Sequence, residues 1–149
     1  MAIGDPYQLG RFITAQDARG AYGHALAELR AGSKTGHWMW FVFPQIAGLG
    51  TSETSRRYAI ASRAEAAAYL QHPLLGTRLI ECTQVVEASR ALSATQILGP
   101  IDARKLHSCM TLFMRAAPGE PLFGRVLERF FAGAPDHNTD RLLQSQGAV

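Results

Sequence analysis

Helix start signals recur along this chain, and no stretch alternates apolar and polar residues in the way that a half-buried strand does. Ser62 is followed three residues later by Glu65, and Ser93 by Gln96. Both pairs fit the capping box that opens a helix. Several further segments repeat apolar residues with the period of an amphipathic helix. The sequence therefore predicts an all-α fold.

The expected helices are short, because residues that start or stop helices divide the chain at close intervals. The expected boundaries are a start at Asp5-Pro6, a stop near Ala31-Gly32, a start near Arg63, a break at His72-Pro73, a turn from Ser93 to Gly99-Pro100, a break at Pro118-Gly119 and a stop at Gly133. Asp102 and Asp136 are expected to cap two later helices. Helices of such unequal length do not form four parallel rods, so we expect about seven or eight of them in a non-bundle packing.

The length of 149 residues and the composition favour one domain that spans residues 1–149. Hydrophobic residues make up 47% of the chain and charged residues 18%, which excludes a disordered chain and a coiled coil. The formal net charge of +3 is not concentrated in any run, so a nucleic-acid partner is not expected. The N-terminal residues lack the pattern of a signal peptide, and no window reaches the ~18 apolar residues of a membrane span. We therefore expect a cytoplasmic, soluble protein without a membrane partner.

The histidines and cysteines do not suggest a metal site. No two of the five histidines stand four residues apart, which is the spacing that places both on one face of a helix. Cys82 and Cys109 lie among apolar neighbours and are expected to be buried free thiols. We therefore expect no metal and no cofactor.

The most unusual stretch is residues 37–45, which we call the aromatic segment. Its sequence is His37-Trp38-Met39-Trp40-Phe41-Val42-Phe43-Pro44-Gln45. A lone strand here would leave its backbone unpaired, which favours a helix or an irregular segment. The polar side chains at its two ends, His37 and Gln45, are either buried structural links or part of a ligand site. In the second case Trp38 or Trp40 would form an aromatic wall for a planar ligand.

Residues 48–52 form a glycine loop with the sequence Gly48-Leu49-Gly50-Thr51-Ser52. The loop lacks the third glycine and the preceding strand of a dinucleotide fingerprint, so the first interpretation is a tight turn that needs positive φ. The alternative is an anion site, because hydroxyl and guanidinium donors follow directly. Those donors are Ser52, Ser55, Arg56 and Arg57, and Tyr58 is next to them.

The helix after Asp102 carries a third group of polar residues. Its apolar stripe leaves Ser108 and Thr111 on the opposite, polar stripe. Lys105 is one of only two lysines in a chain whose other basic residues are arginines. Asp102 is either a helix cap or, together with Lys105 and Ser108, part of a cluster that anchors or activates a polar substrate.

The aromatic segment followed by Gly48-Leu49-Gly50 resembles the domain-of-unknown-function 1810 family, sometimes labelled calpastatin-like. Further stretches are similar to that family's pattern in the same order: Tyr58-Ala59-Ile60, Tyr69-Leu70, His72-Pro73-Leu74-Leu75-Gly76, Asp102, Lys105-Leu106, Ser108 and Met110-Thr111-Leu112-Phe113. The match covers nearly the whole chain, although Ser108-Cys109 stands where the family commonly has two serines. The resemblance implies a mostly helical single domain in the bacterial cytoplasm. It implies no established reaction, cofactor or catalytic residue.

Polar groups interleaved with large aromatic residues favour a binding cleft, since a core alone does not require them. We expect a small anionic ligand, such as a nucleotide or an ADP-ribose-like molecule. Its ring would lie against Trp38 or Trp40. Its phosphate would meet Arg56, Arg57 or the glycine loop.

Two other functions stay open at this point. In an enzyme, His37 or Asp102 would act as general base on a glycosidic or ester bond, with Lys105 as a further catalytic candidate. In a protein-interaction module, the aromatic residues would form an exposed patch for a partner instead of lining a pocket. The cleft hypothesis further expects convergence near Trp38 or Trp40 of the residues His37, Gln45, Asp102, Lys105 and Ser108.

Overall fold

Short helices make up the secondary structure, as the close spacing of helix starts predicts. The computed structural model describes residues 4–147, in which the α-helices are α1 (Gly10–Asp17), α2 (Ala21–Ala31), α3 (Met39–Val42), α4 (Glu53–Arg57), α5 (Arg63–Gln71), α6 (Leu75–Ala88), α7 (Ala94–Leu98), α8 (Pro100–Ala116), α9 (Leu122–Phe131) and α10 (His137–Gly147). A 3₁₀ turn (Ala18–Gly20) joins α1 to α2. The all-α class is confirmed, since residues 4–147 contain no strand beyond one isolated bridge. The ten helices in this range exceed the expected number because α3, α4 and α7 each consist of about one turn.

The two capping boxes start helices where the sequence predicts them. The Ser62 hydroxyl accepts a hydrogen bond of 3.1 Å from the N–H of Glu65 at the start of α5. The Ser93 hydroxyl accepts one of 3.1 Å from the N–H of Gln96 at the start of α7. In both cases the side chain three residues on accepts from the N–H of the residue before the N-cap, one position earlier than in the usual box.

The expected start at Asp5-Pro6 is wrong, because α1 begins at Gly10 with Leu9 as its N-cap. Of the two later aspartates expected to cap helices, only Asp136 does so. Its carboxylate accepts a hydrogen bond of 3.0 Å from the N–H of Thr139 in α10. The prediction for Asp102 is wrong, because α8 begins at Pro100 with Gly99 before it. Proline fits the first turn of a helix, where its missing N–H costs no hydrogen bond. Asp102 therefore lies inside the first turn, and its carboxylate is free for side-chain partners.

Helix α8 lies at the centre of the fold, with α5, α7, α9 and α10 packed around it. Its fully buried side chains include Leu106, Cys109, Met110, Leu112 and Phe113. The expected burial of both free thiols is confirmed at Cys82 and Cys109. Burial raises the pKa of the Cys82 thiol to about 12, so this thiol stays protonated at neutral pH.

The other helices pack in pairs around this centre. Helix α6 contacts α2, α5 and α9, and α1 contacts α2 and α3. The packing is of the non-bundle type, with helices that range from 4 to 17 residues. None of the helices in residues 4–147 combines the length and the apolar character that crossing a bilayer requires. Within the same range, no three His, Cys, Asp or Glu side chains are grouped so that they could hold a metal ion.

Candidate functional site

The aromatic segment forms α3 and packs largely into the core. Trp38 is only 3% exposed, and Phe43 beside it is fully buried. Gln16 on α1 donates a hydrogen bond of 2.8 Å to the carbonyl oxygen of Phe41, which ties α3 to α1. Pro44 follows the helix and prevents its continuation. The segment is therefore helical, which is one of the two forms expected for it.

Backbone pairing closes the loop that follows the aromatic segment. The N–H of Ile60 donates to the carbonyl oxygen of Gln45, and the N–H of Ala47 donates to that of Ile60, both at 2.8 Å. These bonds form an isolated parallel bridge between Ile46 and Ile60. The loop of residues 47–59, which carries the glycine loop and α4, is thereby held against the aromatic segment.

A small cavity of about 90 Å³ lies where this loop meets the aromatic segment. We call it the Trp40 cavity. Its lining includes several residues that the sequence singled out as ligand-binding candidates, namely Trp40, Gln45, Gly48, Gly50, Arg56 and Tyr58. The structure therefore brings the aromatic segment, the glycine loop and α4 together around one space.

Two glycines form part of the cavity wall as bare backbone. Gly48 has a φ angle of +104°, which confirms the tight turn with positive φ at this position. A Cβ atom on Gly50 would lie 2.5 Å from the Cβ and Oγ atoms of Ser55, so a larger residue would displace α4. The loop can therefore approach α4 this closely only with glycine at residue 50.

The polar residues that follow the glycine loop have different roles. The Ser52 hydroxyl accepts a hydrogen bond of 3.0 Å from the N–H of Ser55, so Ser52 is the N-cap of α4. Arg57 forms an ion pair of 3.4 Å with Glu53 and does not line the cavity. Arg56 is exposed and bonds only to backbone carbonyl oxygens of the loop, with no carboxylate partner among residues 4–147. Arg56 therefore keeps an uncompensated positive charge at the cavity.

The cavity wall also carries polar groups that make no hydrogen bond to another group of residues 4–147. They are the indole N–H of Trp40, the side-chain amide of Gln45 and the hydroxyl of Tyr58, and all three residues are partly buried. No fully buried side-chain nitrogen or oxygen lacks a partner in the described part of the chain, so these groups stay within reach of solvent. Together they offer both donors and acceptors to a bound molecule.

The two lysines of the chain meet at one carboxylate. Lys34 Nζ lies 2.8 Å from Asp102 Oδ2, and Lys105 Nζ lies 3.3 Å from Asp102 Oδ1. The Lys34 ammonium also lies 5.1 Å from the centroid of the Trp38 ring. The Lys105 ammonium lies 4.5 Å from that of the Trp40 ring. We call Lys34, Asp102 and Lys105 the lysine cluster, which Trp40 joins to the cavity.

Sequence reasoning missed two residues of this region, Lys34 and Glu28. Glu28 on α2 accepts hydrogen bonds from the N–H groups of Thr35 at 2.7 Å and Gly36 at 2.8 Å, and from the indole N–H of Trp38 at 3.0 Å. Burial opposes the charge of Glu28, but the hydrogen bonds from Gly36 and Thr35 outweigh it and lower the pKa of this carboxyl. One sequence feature, the rarity of lysine in this chain, could have indicated Lys34. No sequence feature indicates Glu28.

The two candidate general bases do not line the cavity. His37 is exposed and does not contribute to the wall. Both carboxylate oxygens of Asp102 are occupied by ammonium groups. Of the residues expected to converge, the structure brings Gln45, Asp102 and Lys105 around the two tryptophans. It leaves His37 apart from the cavity.

Ser108 and Thr111 serve a different contact. Their expected place on an open polar stripe of α8 is wrong, because α10 packs over this face and both residues are buried. The Ser108 hydroxyl lies 2.9 Å from the hydroxyl of Thr139, and Thr111 Oγ1 accepts a hydrogen bond of 2.8 Å from the N–H of Asp136. Both hydroxyls therefore join α8 to α10.

We expect Asp136→Ala to lower the free energy of unfolding by about 1–2 kcal/mol, as for other lost N-caps. The Asp136 carboxylate accepts from both the N–H and the hydroxyl of Thr139, at 3.0 and 2.6 Å, and so sets the start of α10 against α8. Urea unfolding followed by circular dichroism measures the change. Asn138→Ala, at an exposed position of the same turn, is the control, and an equal loss in both variants would contradict a specific role of the cap.

The fold has a relative of known structure. The chain is similar to the conserved hypothetical protein Rv1873 from Mycobacterium tuberculosis, with 49% sequence identity and a TM-score of 0.90 to its crystal structure. The likeness covers 94% of this chain and 99% of that chain, so the two share one fold over nearly their whole length. No curated protein matches the sequence. Residues 6–143 match the family described as protein of unknown function (DUF1810), and the chain belongs to that family.

Proposed function

We propose that this protein binds a small anionic ligand in the Trp40 cavity. The observation that carries the proposal is the Arg56 guanidinium, which has no carboxylate partner among residues 4–147. It lies beside polar groups of the cavity wall that make no hydrogen bond to another described residue. Arginine recognises carboxylate and phosphate groups through charge-assisted, often paired hydrogen bonds. Gln45 and Tyr58 would supply further hydrogen bonds to the same ligand.

The size of the cavity restricts the part of the ligand that it holds. About 90 Å³ is well below the roughly 300–1,000 Å³ of pockets that enclose a whole drug-sized molecule. We infer that the cavity takes the anionic group alone. A groove of about 710 Å³ shares Arg56 and Ala59 with the cavity and extends to Tyr7. The remainder of a nucleotide or an ADP-ribose-like ligand would lie in this groove.

The aromatic rings beside the anionic group in this proposal are those of Trp40 and Tyr58, and not that of Trp38. Trp38 is buried, and its indole N–H donates to Glu28, so its ring does not face a ligand. Trp40 and Tyr58 are partly buried and belong to the cavity wall. Partly buried aromatic rings with a polar edge suit a site that is apolar on one side and wet on the other.

The two competing functions have less support. A protein-interaction patch needs exposed aromatic side chains, but the exposed large hydrophobic residues of the range 4–147 are Leu92 and Ile101, outside the aromatic segment. A hydrolase needs a general base within reach of the bound substrate. Neither His37 nor Asp102 lines the cavity. Ligand binding is therefore the function that we propose.

Arg56→Met should weaken ligand binding by about tenfold or more, because a hydrogen bond to a charged group is worth about 1.5–3 kcal/mol. Thermal-shift measurements with AMP, ADP-ribose, methyl phosphate and acetate provide the test. A ligand at ~100 times its Kd should stabilise the fold by about 2.7 kcal/mol. Arg63→Met is the control, because it removes the same charge from an exposed side chain that lines neither the cavity nor the groove.

The expected pattern is a shift that the wild type and Arg63→Met share and that Arg56→Met loses. Circular dichroism of each variant verifies that the fold is intact. The proposal fails if none of the four probes shifts the wild type. It also fails if the two arginine variants lose the shift equally, since that result indicates attraction by net charge and not by a site.

A further inference from the structure

The lysine cluster contains one cation more than its carboxylate needs. Lys34 and Lys105 each form an ion pair with Asp102, and no second carboxylate within residues 4–147 pairs with either ammonium. Two ammonium groups and one carboxylate leave the cluster with a net charge of +1. A surplus positive charge next to a cavity wall can attract and bind an anionic ligand.

The two lysines are held unequally. The Lys34 side chain is 8% exposed, its ammonium lies 2.8 Å from Asp102, and it also donates to the carbonyl oxygen of Gly36. The Lys105 side chain is 20% exposed, its ammonium lies 3.3 Å from Asp102, and it has no other hydrogen-bond partner in the described part of the chain. Lys34 alone therefore keeps Asp102 paired when Lys105 moves away. Such a movement therefore does not leave the Asp102 carboxylate without a cation.

Lys105 contacts one wall residue of the Trp40 cavity, although it does not itself line the cavity. Its ammonium lies 4.5 Å from the centroid of the Trp40 ring, and Trp40 is part of the cavity wall. Lysine carries its charge on a flexible four-carbon stem, so side-chain rotation moves the ammonium without a backbone change. The Trp40 ring thus links Lys105 on α8 to the cavity that Arg56 on α4 lines.

We infer that Lys105 is the second ligand-binding cation of the Trp40 cavity and that the ligand is a phosphate monoester. The inference rests on the proposed function and specifies its ligand. A phosphate monoester carries about −1.5 to −2 charges at pH 7, which Arg56 and Lys105 together match. A carboxylate or a phosphate diester carries a single charge and needs only Arg56. On binding, Lys105 exchanges the Asp102 carboxylate for the phosphate, and Lys34 keeps Asp102 paired.

Methyl phosphate and methyl sulfate are a matched pair of probes for this inference. Both are tetrahedral and of nearly equal size, but at pH 7.5 methyl phosphate carries close to two negative charges and methyl sulfate carries one. Isothermal titration of the full chain at low salt should give about tenfold tighter binding of methyl phosphate. Lys105→Met should weaken methyl phosphate about tenfold and methyl sulfate less than about twofold, and Lys105→Arg should restore the difference.

Arg104→Met is the charge-matched control. It removes one positive charge from the exposed neighbouring position of α8 and should leave both affinities unchanged.

Tryptophan fluorescence gives an independent signal, because the chain has only two tryptophans and each has a lysine ammonium over its ring. Methyl phosphate should change the emission of the wild type as the ammonium leaves Trp40. The same titration of Lys105→Met, carried to saturation, should change the emission less, because no ammonium leaves the Trp40 ring.

Equal affinities of the wild type for the two probes overturn the inference without any variant. An equal loss of affinity for both probes in Lys105→Met overturns the inference as well. Either result leaves an Arg56-dependent anion site in place, so the proposed function survives. If neither probe binds, or if Arg56→Met binds both as the wild type does, the proposed function fails together with the inference. The two failures are therefore distinguishable.

Discussion

Gly76→Ala should lower the free energy of unfolding by about 3 kcal/mol or more, or prevent folding altogether. Gly76 lies in the first turn of α6, directly against Leu70 of α5. A Cβ atom at this position would lie 1.9 Å from the carbonyl oxygen of Leu70 and 2.8 Å from its carbonyl carbon. Both are backbone atoms, so no side-chain rotation relieves the overlap. The two helices would have to move apart and open the core between them.

Gly23→Ala is the control for this substitution. Gly23 lies inside α2, and a Cβ atom there would have no neighbour within 4 Å. Alanine in a helix restricts the unfolded chain without strain, so this variant should gain about 0.5–1 kcal/mol. Urea unfolding of the wild type and the two variants gives both changes. A Gly76→Ala variant as stable as the wild type would contradict the close contact between α5 and α6.

Helix starts could be predicted from the sequence because their causes lie within a few residues. The hydroxyls of Ser62 and Ser93 reach the first free N–H groups of α5 and α7, and no distant residue takes part. The error at Asp102 is also local, since Pro100 can occupy the first turn and α8 therefore starts three residues earlier than a cap at Asp102 predicts. Short-range hydrogen bonding thus accounts for the correct predictions and for the wrong one.

The Trp40 cavity could be predicted in part for the same reason. Most of its wall comes from residues 40–59, a single stretch in which the aromatic and loop signals are adjacent. The residues that the sequence pattern did not indicate or placed wrongly depend on contacts outside their own helix. Glu28 binds a turn eight residues away, and Ser108 is buried because α10 covers one face of α8. Residue spacing carries no information about which face a later helix will cover.

Arg11→Met should cause the other large loss of stability, about 3 kcal/mol or more. Arg11 on α1 uses all five of its N–H donors within the protein. Its acceptors, at 2.7 to 3.0 Å, are the carbonyl oxygens of Tyr7, Gln8, Arg57 and Ala59 and the carboxylate of Glu65. Methionine keeps the apolar stem, but it leaves Glu65 charged, 5% exposed and without its cation.

Arg11 also holds one side of the candidate site. The carbonyl groups of Arg57 and Ala59, which accept from Arg11, stand on either side of Tyr58 in the cavity wall. Nothing in the neighbouring sequence marks this role, because the partners beyond the N-terminal turn are 46 to 54 residues away. Arg11 is therefore a further residue whose contribution to the site depends on contacts that the local sequence pattern does not indicate.

A double variant separates the two causes of the loss at Arg11. In Glu65→Gln the amide oxygen can still accept the N–H of Ala61, which bonds to Glu65 at 3.1 Å, but no buried charge remains. If that charge dominates, Arg11→Met with Glu65→Gln should be about 1–2 kcal/mol more stable than Arg11→Met alone. If the unpaired carbonyl groups dominate, the second substitution restores none of the lost stability.

Arg63→Met, at an exposed position of α5, is the control and should change the stability by less than about 0.5 kcal/mol in the same urea experiment. An equally small loss in Arg11→Met would mean that Arg11 does not hold the cavity wall.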